Sequence, residues 1–457
     1  LHPGQPLRAA ELGLIASLGI AEVKVKRRLR VAFFSTGDEL RSIGEPLDAG
    51  CVYDSNRYTL YGMPSSLFTG KPRAYLRKQG IDFVEHPMGS THFRETIVPK
   101  IGRFIVPVLE TPEGALVQDG TDIIEYFERK GLARWSAYPT TPKQHVVALI
   151  SELFGGEGLL RPAMHYRWNF PDQNEHFLRT EFGNFLAPGR VRAEKDAAFD
   201  FAARRMKQAM ELLGVSAATI PAVEAAYAEF LNVFDAHLDT APYLLGGRPS
   251  IGDYGLLAPL FAHLGRDPRP AGRRTGGVGK VAHGAARKAS RSARRTAPRV
   301  ARWVERMNAP GLDSAEFTDI GPEWFADDAI PATLAALLRY VGEEYANEIG
   351  AQVEFVNRYL GEHPEIREGD VVGGRPNARS LGRCDVAWRG VTLSVGVFPY
   401  RVWLLQRVQA AFGNCDRVGQ DAVRALLKDA GLERLLDLRT SRRVERRDNR
   451  EVWGAAA

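Results

Sequence analysis

Ser65 and Ser66, with Thr69 three residues on, are hydroxyl side chains placed where they could do chemistry. Tyr58 to Tyr61 alternates as a strand does. Gly62-Met63-Pro64 breaks it, and the two serines suit a helix N-cap, where a short hydroxyl accepts a free first-turn amide. Phe68 to Lys78 then reads as a helix closed by Gly80, and Ile81 to Val84 opens a second strand. First-turn amides lack partners inside their helix and carry about half a positive charge, so an anion is favoured there. A thiolate is such an anion, and a free thiol needs the help because its pKa is about 8.5. A serine hydroxyl beside it donates a further hydrogen bond. The plain alternative is that both serines only cap the helix. Loop length does not decide which of them faces a cleft, and Ser66 is the first candidate with Ser65 its competitor.

This strand, loop, helix and strand resembles the N-terminal thioredoxin-like domain of glutathione transferases. Ser66-Leu67-Phe68-Thr69-Gly70-Lys71 falls where many bacterial members carry Ser-Pro-Phe-Cys or Cys-Pro-Phe-Cys. Leu67 replaces the Pro and Thr69 the Cys, which excludes dithiol redox chemistry at this position. Further on, Phe104 to Glu110 reads as a strand interrupted by Pro107, and interior Pro is rare in sheets. The resemblance implies a cis-Pro at Pro107, with the backbone of Val106 offered to the cysteinyl part of glutathione. Leu116 to Phe127 resembles the family's turn into a helix, where a Glu-Ser pair binds the γ-glutamyl end. Asp119 falls on the Glu and Gly120 on the Ser, so the family's hydroxyl is missing and Thr121 is its substitute. The alternative is a capped helix in which Asp119 serves only its own first turn.

These residues need a frame. Residues 132 to 265 read as helical, with apolar residues at helical spacing in Lys143–Phe154, Ala197–Leu213, Ile220–Leu238 and Gly252–Leu264. Ser250-Ile251-Gly252-Asp253 is a capping box: Ser250 bonds the Asp253 amide and Asp253 reaches back. Glutathione transferases carry this box at the start of a buried central helix, a structural role. His165 to Phe170 is an aromatic cluster in a loop-like stretch. It either lines a pocket for the electrophile or packs in a core. Residues 266–302 hold twelve Lys and Arg against one acid, Asp267, among Gly, Ala and Ser. No aromatic residues interleave the charges, so a disordered basic insertion over 266–298 is favoured over a nucleic-acid site. Without it the chain is mildly acidic, and the net +6 says little about partners. Beyond Gly311 the expectation is a helical extension: Ala332–Leu360, a hairpin around Arg389-Gly390, helices at Tyr400–Phe412 and Asp421–Leu438, and a charged, frayed Arg439–Arg450. Tyr340, Tyr345 and Arg401 are its candidates to approach the cleft.

Leu1 to Arg57 does not belong with the rest of the chain. Ala9 to Leu18 reads as a helix and Leu29 to Phe34 as a buried strand. Ile15 to Val23, Phe34-Ser35-Thr36-Gly37-Asp38-Glu39-Leu40 and Tyr53-Asp54-Ser55-Asn56-Arg57 resemble molybdopterin molybdenumtransferases. That family's Gly-Gly-Val-Ser-type pterin loop is missing downstream, and a lone parallel strand cannot bury both faces. The block is expected to be a remnant without a working site, joined at Tyr58–Met63 by gene fusion or by an assembly error.

With 457 residues the chain suits about three domains. Its 44% hydrophobic and 25% charged residues are ordinary for a globular protein. No apolar run reaches the length of a membrane span. Leu1 stands where a natural start would carry Met, and no secretion leader is seen. Cys51, Cys384 and Cys415 are widely spaced, which excludes a metal pattern or a disulfide framework and suits a reducing cytoplasm. The expected fold class is an α/β thioredoxin-like domain over 58–131 followed by an all-α domain over 132–310, with a short α/β fragment at 1–57 and a helical extension over 311–457. The expected function is conjugation or binding of glutathione thiolate with an electrophilic small molecule. Its rivals are a binding protein of the same fold without turnover and, more distantly, a molybdenum cofactor protein. Glutathione is the co-substrate and no metal is expected; a homodimer is left open.

Overall fold

The computed structural model describes residues 40–41, 52–53, 57–268, 297–312, 314–374 and 379–456. The chain divides into two units, Leu1–Asp54 and Ser55–Ala457. In the first, β1 (Leu40–Arg41) and β2 (Val52–Tyr53) form a short parallel pair, with Leu40 opposite Val52. The helix expected at Ala9–Leu18, the strand expected at Leu29–Phe34 and most of the basic insertion lie outside the described residues.

The second unit begins with β3 (Tyr58–Gly62), β4 (Phe83–Pro87), β5 (Val108–Glu110) and β6 (Leu116–Gln118), in the order β4-β3-β5-β6. β3 and β4 are parallel; the other pairs are antiparallel. A parallel pair needs a crossover, and α1 (Leu67–Gln79) supplies it. Gly80 ends α1 at φ 64°, a conformation glycine adopts without strain, and its amide satisfies Arg77 O. The short α2 (Val98–Ile101) precedes β5, and α3 (Gly120–Arg129) follows β6. Leu60 and Leu109 stand opposite each other in the sheet. They join Ala74, Tyr75 and Leu76 of α1 and Ile123, Ile124 and Phe127 of α3 in one buried core. This is the thioredoxin-like α/β layer.

The helical domain follows as α4 (Pro142–Leu153), α5 (Leu160–Trp168), α6 (Pro171–Leu186), α7 (Arg192–Glu211), α8 (Ile220–His237), α9 (Ile251–Ala262) and α10 (Pro298–Asn308). α9 is apolar nearly all round and is buried along its length, as such a sequence requires. Its backbone lies close against α4 because the contact is built of glycine. A Cβ at Gly255 would stand 2.6 Å from Glu152 Cα, and one at Gly155 would stand 2.4 Å from the Leu256 amide nitrogen. The stretch expected to be loop-like at His165–Phe170 is the end of α5 and its turn into α6. Trp168 packs on Phe182 and Phe199, and Tyr166 on Phe170 and Tyr227.

The remainder contains α11 (Ala332–Glu362), the hairpin β7 (Arg383–Trp388) and β8 (Val391–Gly396), α12 (Pro399–Gly413), α13 (Arg417–Asp429), and the hairpin β9 (Arg442–Arg447) and β10 (Arg450–Ala456). The last hairpin corrects the expectation of a frayed end. Val444 lies opposite Trp453 and both are buried, so alternation with period two gives this basic segment an apolar face. The core runs without a break from the sheet through the helical domain into this extension. Among the described residues no helix is long and apolar enough to cross a membrane.

Candidate functional site

The turn between β3 and α1 presents the first helical turn at the end of the sheet. Ser66 is the N-cap: its backbone is extended (φ −86°, ψ 119°) and its Oγ accepts the Thr69 amide at 3.3 Å. The Leu67 and Phe68 amides find no acceptor among the described residues, which leaves the helix end with its anion-attracting field. Ser66 is half-buried, and its own hydroxyl proton is not used by that cap. Ser65 is different. It is 1% exposed, its carbonyl accepts Arg167 Nη1 at 2.7 Å, and its Oγ has no partner among the described residues. Thr69 Oγ1 is buried and likewise without a partner among the described residues. Thr69 lies so close to the end of β3 that a Cβ at Gly62 would meet its Cγ2 at 2.2 Å.

The Val106–Pro107 peptide is cis, and β5 begins at the next residue. No hydrogen bond is made by the Val106 amide among the described residues, so it is open to a ligand. Beyond β6, Asp119 adopts φ 101° and caps α3, its Oδ1 accepting the Thr121 amide at 2.8 Å. Gly120 is held against α1: a Cβ there would lie 3.2 Å from Lys71 Cδ and 3.3 Å from Phe68 O. The Thr121 hydroxyl turns inward. It accepts Lys71 Nζ at 2.7 Å and donates to Glu152 Oε1 at 2.8 Å, fully buried. Glu152 also binds Lys71 and Arg407 directly. Burial raises the Glu152 pKa, but Arg407 and Lys71 outweigh it and hold the carboxyl below the usual range.

Val106, Pro107 and Asp119 meet in one cavity with Phe68, and its outer wall comes from the extension: Arg379, Phe398, Tyr400 and Glu451 among others. Ser65 and Ser66 are not in its lining, which stops at Phe68. The Tyr400 hydroxyl donates to Asp119 Oδ1 at 3.0 Å. Burial works to raise the Asp119 pKa, yet Arg446 and Lys71 prevail and keep the carboxyl below its ordinary value. Arg103 reaches in from the loop after α2 and pairs with Glu451 at 3.0 Å and with Gln118 Oε1 at 2.7 Å. Glu157, also in the wall, is bonded by Arg401 Nε at 3.1 Å; burial nevertheless pushes its pKa up. The Arg379 guanidinium stands over the Phe68 ring at 5.6 Å. The cavity holds only about 50 Å³. A water molecule occupies about 30 Å³ in the liquid, and small-molecule sites span about 300–1,000 Å³. The cleft is therefore closed in this conformation.

Of the extension's three expected contributors, Arg401 reaches the cleft indirectly, through Glu157. Tyr340 donates to Ala226 O at 2.8 Å and, with Tyr345, lines a separate crevice against α5 and α8. Tyr400, Glu451 and Arg103 carry no mark in the sequence that singles them out. Tyr400 and Asp119 are 281 residues apart, and no local pattern links them.

The domain models that match this chain agree with this architecture. Residues 60–132 match the domain model described as glutathione S-transferase, N-terminal domain, and residues 217–306 match that described as glutathione S-transferase, C-terminal domain. Two segments of the chain are thus similar to the N- and C-terminal domains of glutathione S-transferases. Similar solved structures include a glutathione S-transferase from Xanthobacter autotrophicus (21% identity, 55% of this chain and 93% of that one, TM-score 0.29). Another is a glutathione S-transferase from Methylobacterium radiotolerans in complex with glutathione sulfonate (19%, 56% and 97%, TM-score 0.30). The N-terminal block is similar to a different protein. It is 53% identical over 60 residues to molybdopterin molybdenumtransferase of Haemophilus influenzae and 52% identical over 54 residues to that of Nostoc. These matches cover 13% and 12% of this chain, and the chain spans 15% and 12% of the length of those two relatives.

Proposed function

We propose that the protein binds glutathione in the cleft beside the cis-proline and presents its sulfur, at the start of α1, to an electrophilic small molecule. The observation that carries this reading is the convergence of three features within the matched N-terminal domain: unpaired first-turn amides of α1, the open Val106 amide, and the Asp119 turn. The thiol would lie near Ser66, whose hydroxyl retains a proton to donate; Ser65 is too enclosed to compete. Val106 would pair with the cysteinyl backbone and Asp119 with the γ-glutamyl ammonium. Gly120 supplies no hydroxyl and Thr121 is committed to Lys71 and Glu152, so recognition of that end would fall to Asp119 and the backbone. A ligand of this size requires the extension's wall to move, since the cavity is closed around Tyr400 and Phe398.

A second reading is a binding protein of the same fold without turnover. It is favoured by the bond that Tyr400 already makes to Asp119 and by the absence of both serines from the cavity lining. On either reading residues 1–57 form a fragment apart from the glutathione-binding domain over 58–131, the helical domain over 132–310 and the extension over 311–457.

Calorimetric titration of the full chain with glutathione tests the shared part: saturable heat is expected, and its absence would refute both readings. Turnover of a panel of aryl halides, epoxides and enones by the glutathione-saturated protein then separates enzyme from binder.

A further inference from the structure

A second cavity lies wholly within the extension, between α11, α12 and the start of β9. It has a volume of about 260 Å³, several times that of the cleft beside Pro107. Its floor is apolar: Val353 from α11 with Val402 and Leu405 from α12, all buried. Its rim carries two exposed guanidinium groups, Arg439 and Arg443, and no carboxylate of the described residues belongs to its wall. Among the described residues neither arginine forms an ion pair. Arg439 donates to the carbonyls of Leu436 and Leu438 at 2.6 and 2.9 Å; Asp437, whose carboxyl feels the Arg439 charge, is hydrogen-bonded by Arg424.

The cavity beside α10 is a useful contrast. It is similar in size, at about 310 Å³, and also bordered by arginines, but Arg299, Arg302 and Arg306 there are each paired with Asp or Glu. Two like charges held beside apolar surface, neither of them in an ion pair among the described residues, make a positive potential at the mouth of a hydrophobic space. The polar groups deeper in the wall are already satisfied. Gln406 exchanges two hydrogen bonds with the Val444 backbone, and the Gln409 amide donates to Leu435 O and Leu438 O. They leave little to attract a polar body, so the fitting ligand is polar only at the rim.

We propose that this cavity binds a small amphipathic carboxylate, its charge held between Arg439 and Arg443 and its aromatic or aliphatic body on Val353, Val402 and Leu405. The volume is below the about 300–1,000 Å³ of drug-sized sites, which limits the body to a single ring with a short chain. The site is separate from the glutathione cleft and does not depend on that reading.

The test uses the full chain and 4-phenylbutyrate as probe, followed by saturation-transfer NMR and calorimetry, with 4-phenylbutyramide and inorganic phosphate as controls. The acid is expected to bind at least about tenfold more tightly than the amide, the scale of one charge-assisted contact. Phosphate, lacking an apolar body, is expected not to bind. Arg443→Gln is expected to remove most of the preference for acid over amide while leaving thermal unfolding unchanged, because Arg443 is exposed and forms no ion pair among the described residues. Ala410→Phe, which fills the mouth from the exposed side of α12, is expected to abolish binding of both. Equal binding of acid and amide, full binding by the Ala410→Phe protein, or displacement of the probe by glutathione would each overturn the proposal.

Discussion

Replacing Asp253 by Ala tests how the helical domain is held together, and its magnitude can be worked out from the contacts. As one half of a capping box, Asp253 would contribute about 1 kcal/mol. The structure gives it more to do. Its carboxylate accepts the Ser250 amide and hydroxyl, each at 2.8 Å, the Leu244 amide at 3.0 Å and the Trp303 indole N–H at 3.3 Å. Asp253, Ser250 and Trp303 are 0% exposed. Alanine would leave two backbone amides and an indole N–H buried without acceptors, at about 1–3 kcal/mol each. Against this stands the cost of burying the carboxylate itself, visible in a pKa raised by burial. The net loss is expected at about 3–5 kcal/mol.

Ser250→Ala is the matched control. It removes an oxygen that accepts the Asp253 amide at a long 3.4 Å, and the carboxylate keeps its three N–H donors. About 1 kcal/mol is expected. Asp253→Asn, which keeps an acceptor oxygen but turns an NH₂ toward donors, should fall between. Urea unfolding followed by both circular dichroism and tryptophan fluorescence measures the order, with coincident transitions needed because a chain of this size need not unfold in one step. If Asp253→Ala moves the midpoint no further than Ser250→Ala, Asp253 is a helix cap only and the link to α10 through Trp303 carries no weight.

Three other predictions are independent. His237 is buried, its Nε2 donating to Leu244 O and its Nδ1 accepting from Thr333 Oγ1, both at 2.9 Å, and burial pushes its pKa down to about 4. The unfolded chain therefore takes up a proton below about pH 6.5 that the folded one refuses, so stability is lost as pH falls from about 6.5 toward 4; at about pH 5 the loss is about 2 kcal/mol, and a His237→Gln protein should lack it in pH-dependent urea midpoints. Ser66→Ala should raise the pKa of bound glutathione thiol by about one to two units while Ser65→Ala leaves it unchanged, read from thiolate ultraviolet absorbance against pH; a shift only in the Ser65 variant would reverse the assignment. Asn449→Ala places a side chain less suited to φ 63° and leaves the Gln118 amide without the Asn449 Oδ1 it reaches at 2.8 Å, so that amide should exchange with deuterium about tenfold faster or more.

The features legible in the sequence are those written in a few neighbouring residues. The start and stop of α1 follow from Ser66 and Gly80, and α9 announces itself by Ser250, Asp253 and an unbroken apolar run. The turn at Arg389-Gly390 is likewise local: the residues take φ 46° and 76°. α5 and α6 escape a sequence reading because Leu160–Leu186 mixes aromatic, charged and prolyl residues; its buried positions, such as Arg167, are satisfied by partners elsewhere. Arg167 binds Asp267, the Ser65 carbonyl and the Ala262 carbonyl, contacts about a hundred residues away. The cleft shows the same limit. Asp119 and Val106 sit on recognisable turns, whereas Tyr400, Glu451 and Arg103 matter only because the extension folds back, and nothing near them in sequence says so.

That fold-back joins two properties that look separate. β6 is the outer strand of its sheet, and an open edge invites pairing with another chain. Here the β9–β10 turn closes it with side chains in place of a strand. Asn449 Oδ1 accepts the Gln118 amide, Asn449 Nδ2 donates weakly to Leu116 O at 3.4 Å, and Arg446 donates to Gln118 O at 2.8 Å. A second copy cannot add a strand there while the hairpin is in place, so any association of two copies must use another surface. The same hairpin carries Glu451 to Arg103 in the wall of the cleft, and Arg446 to Asp122 at 2.6 Å at the start of α3. Lifting the hairpin would free the sheet edge and release Arg103 in one movement. A conformation open enough for glutathione would then also be the one whose β6 edge is exposed. Protection of Gln118 against hydrogen exchange should accordingly fall when glutathione is added if the hairpin is the moving part, and stay constant if only Phe398 and Tyr400 give way.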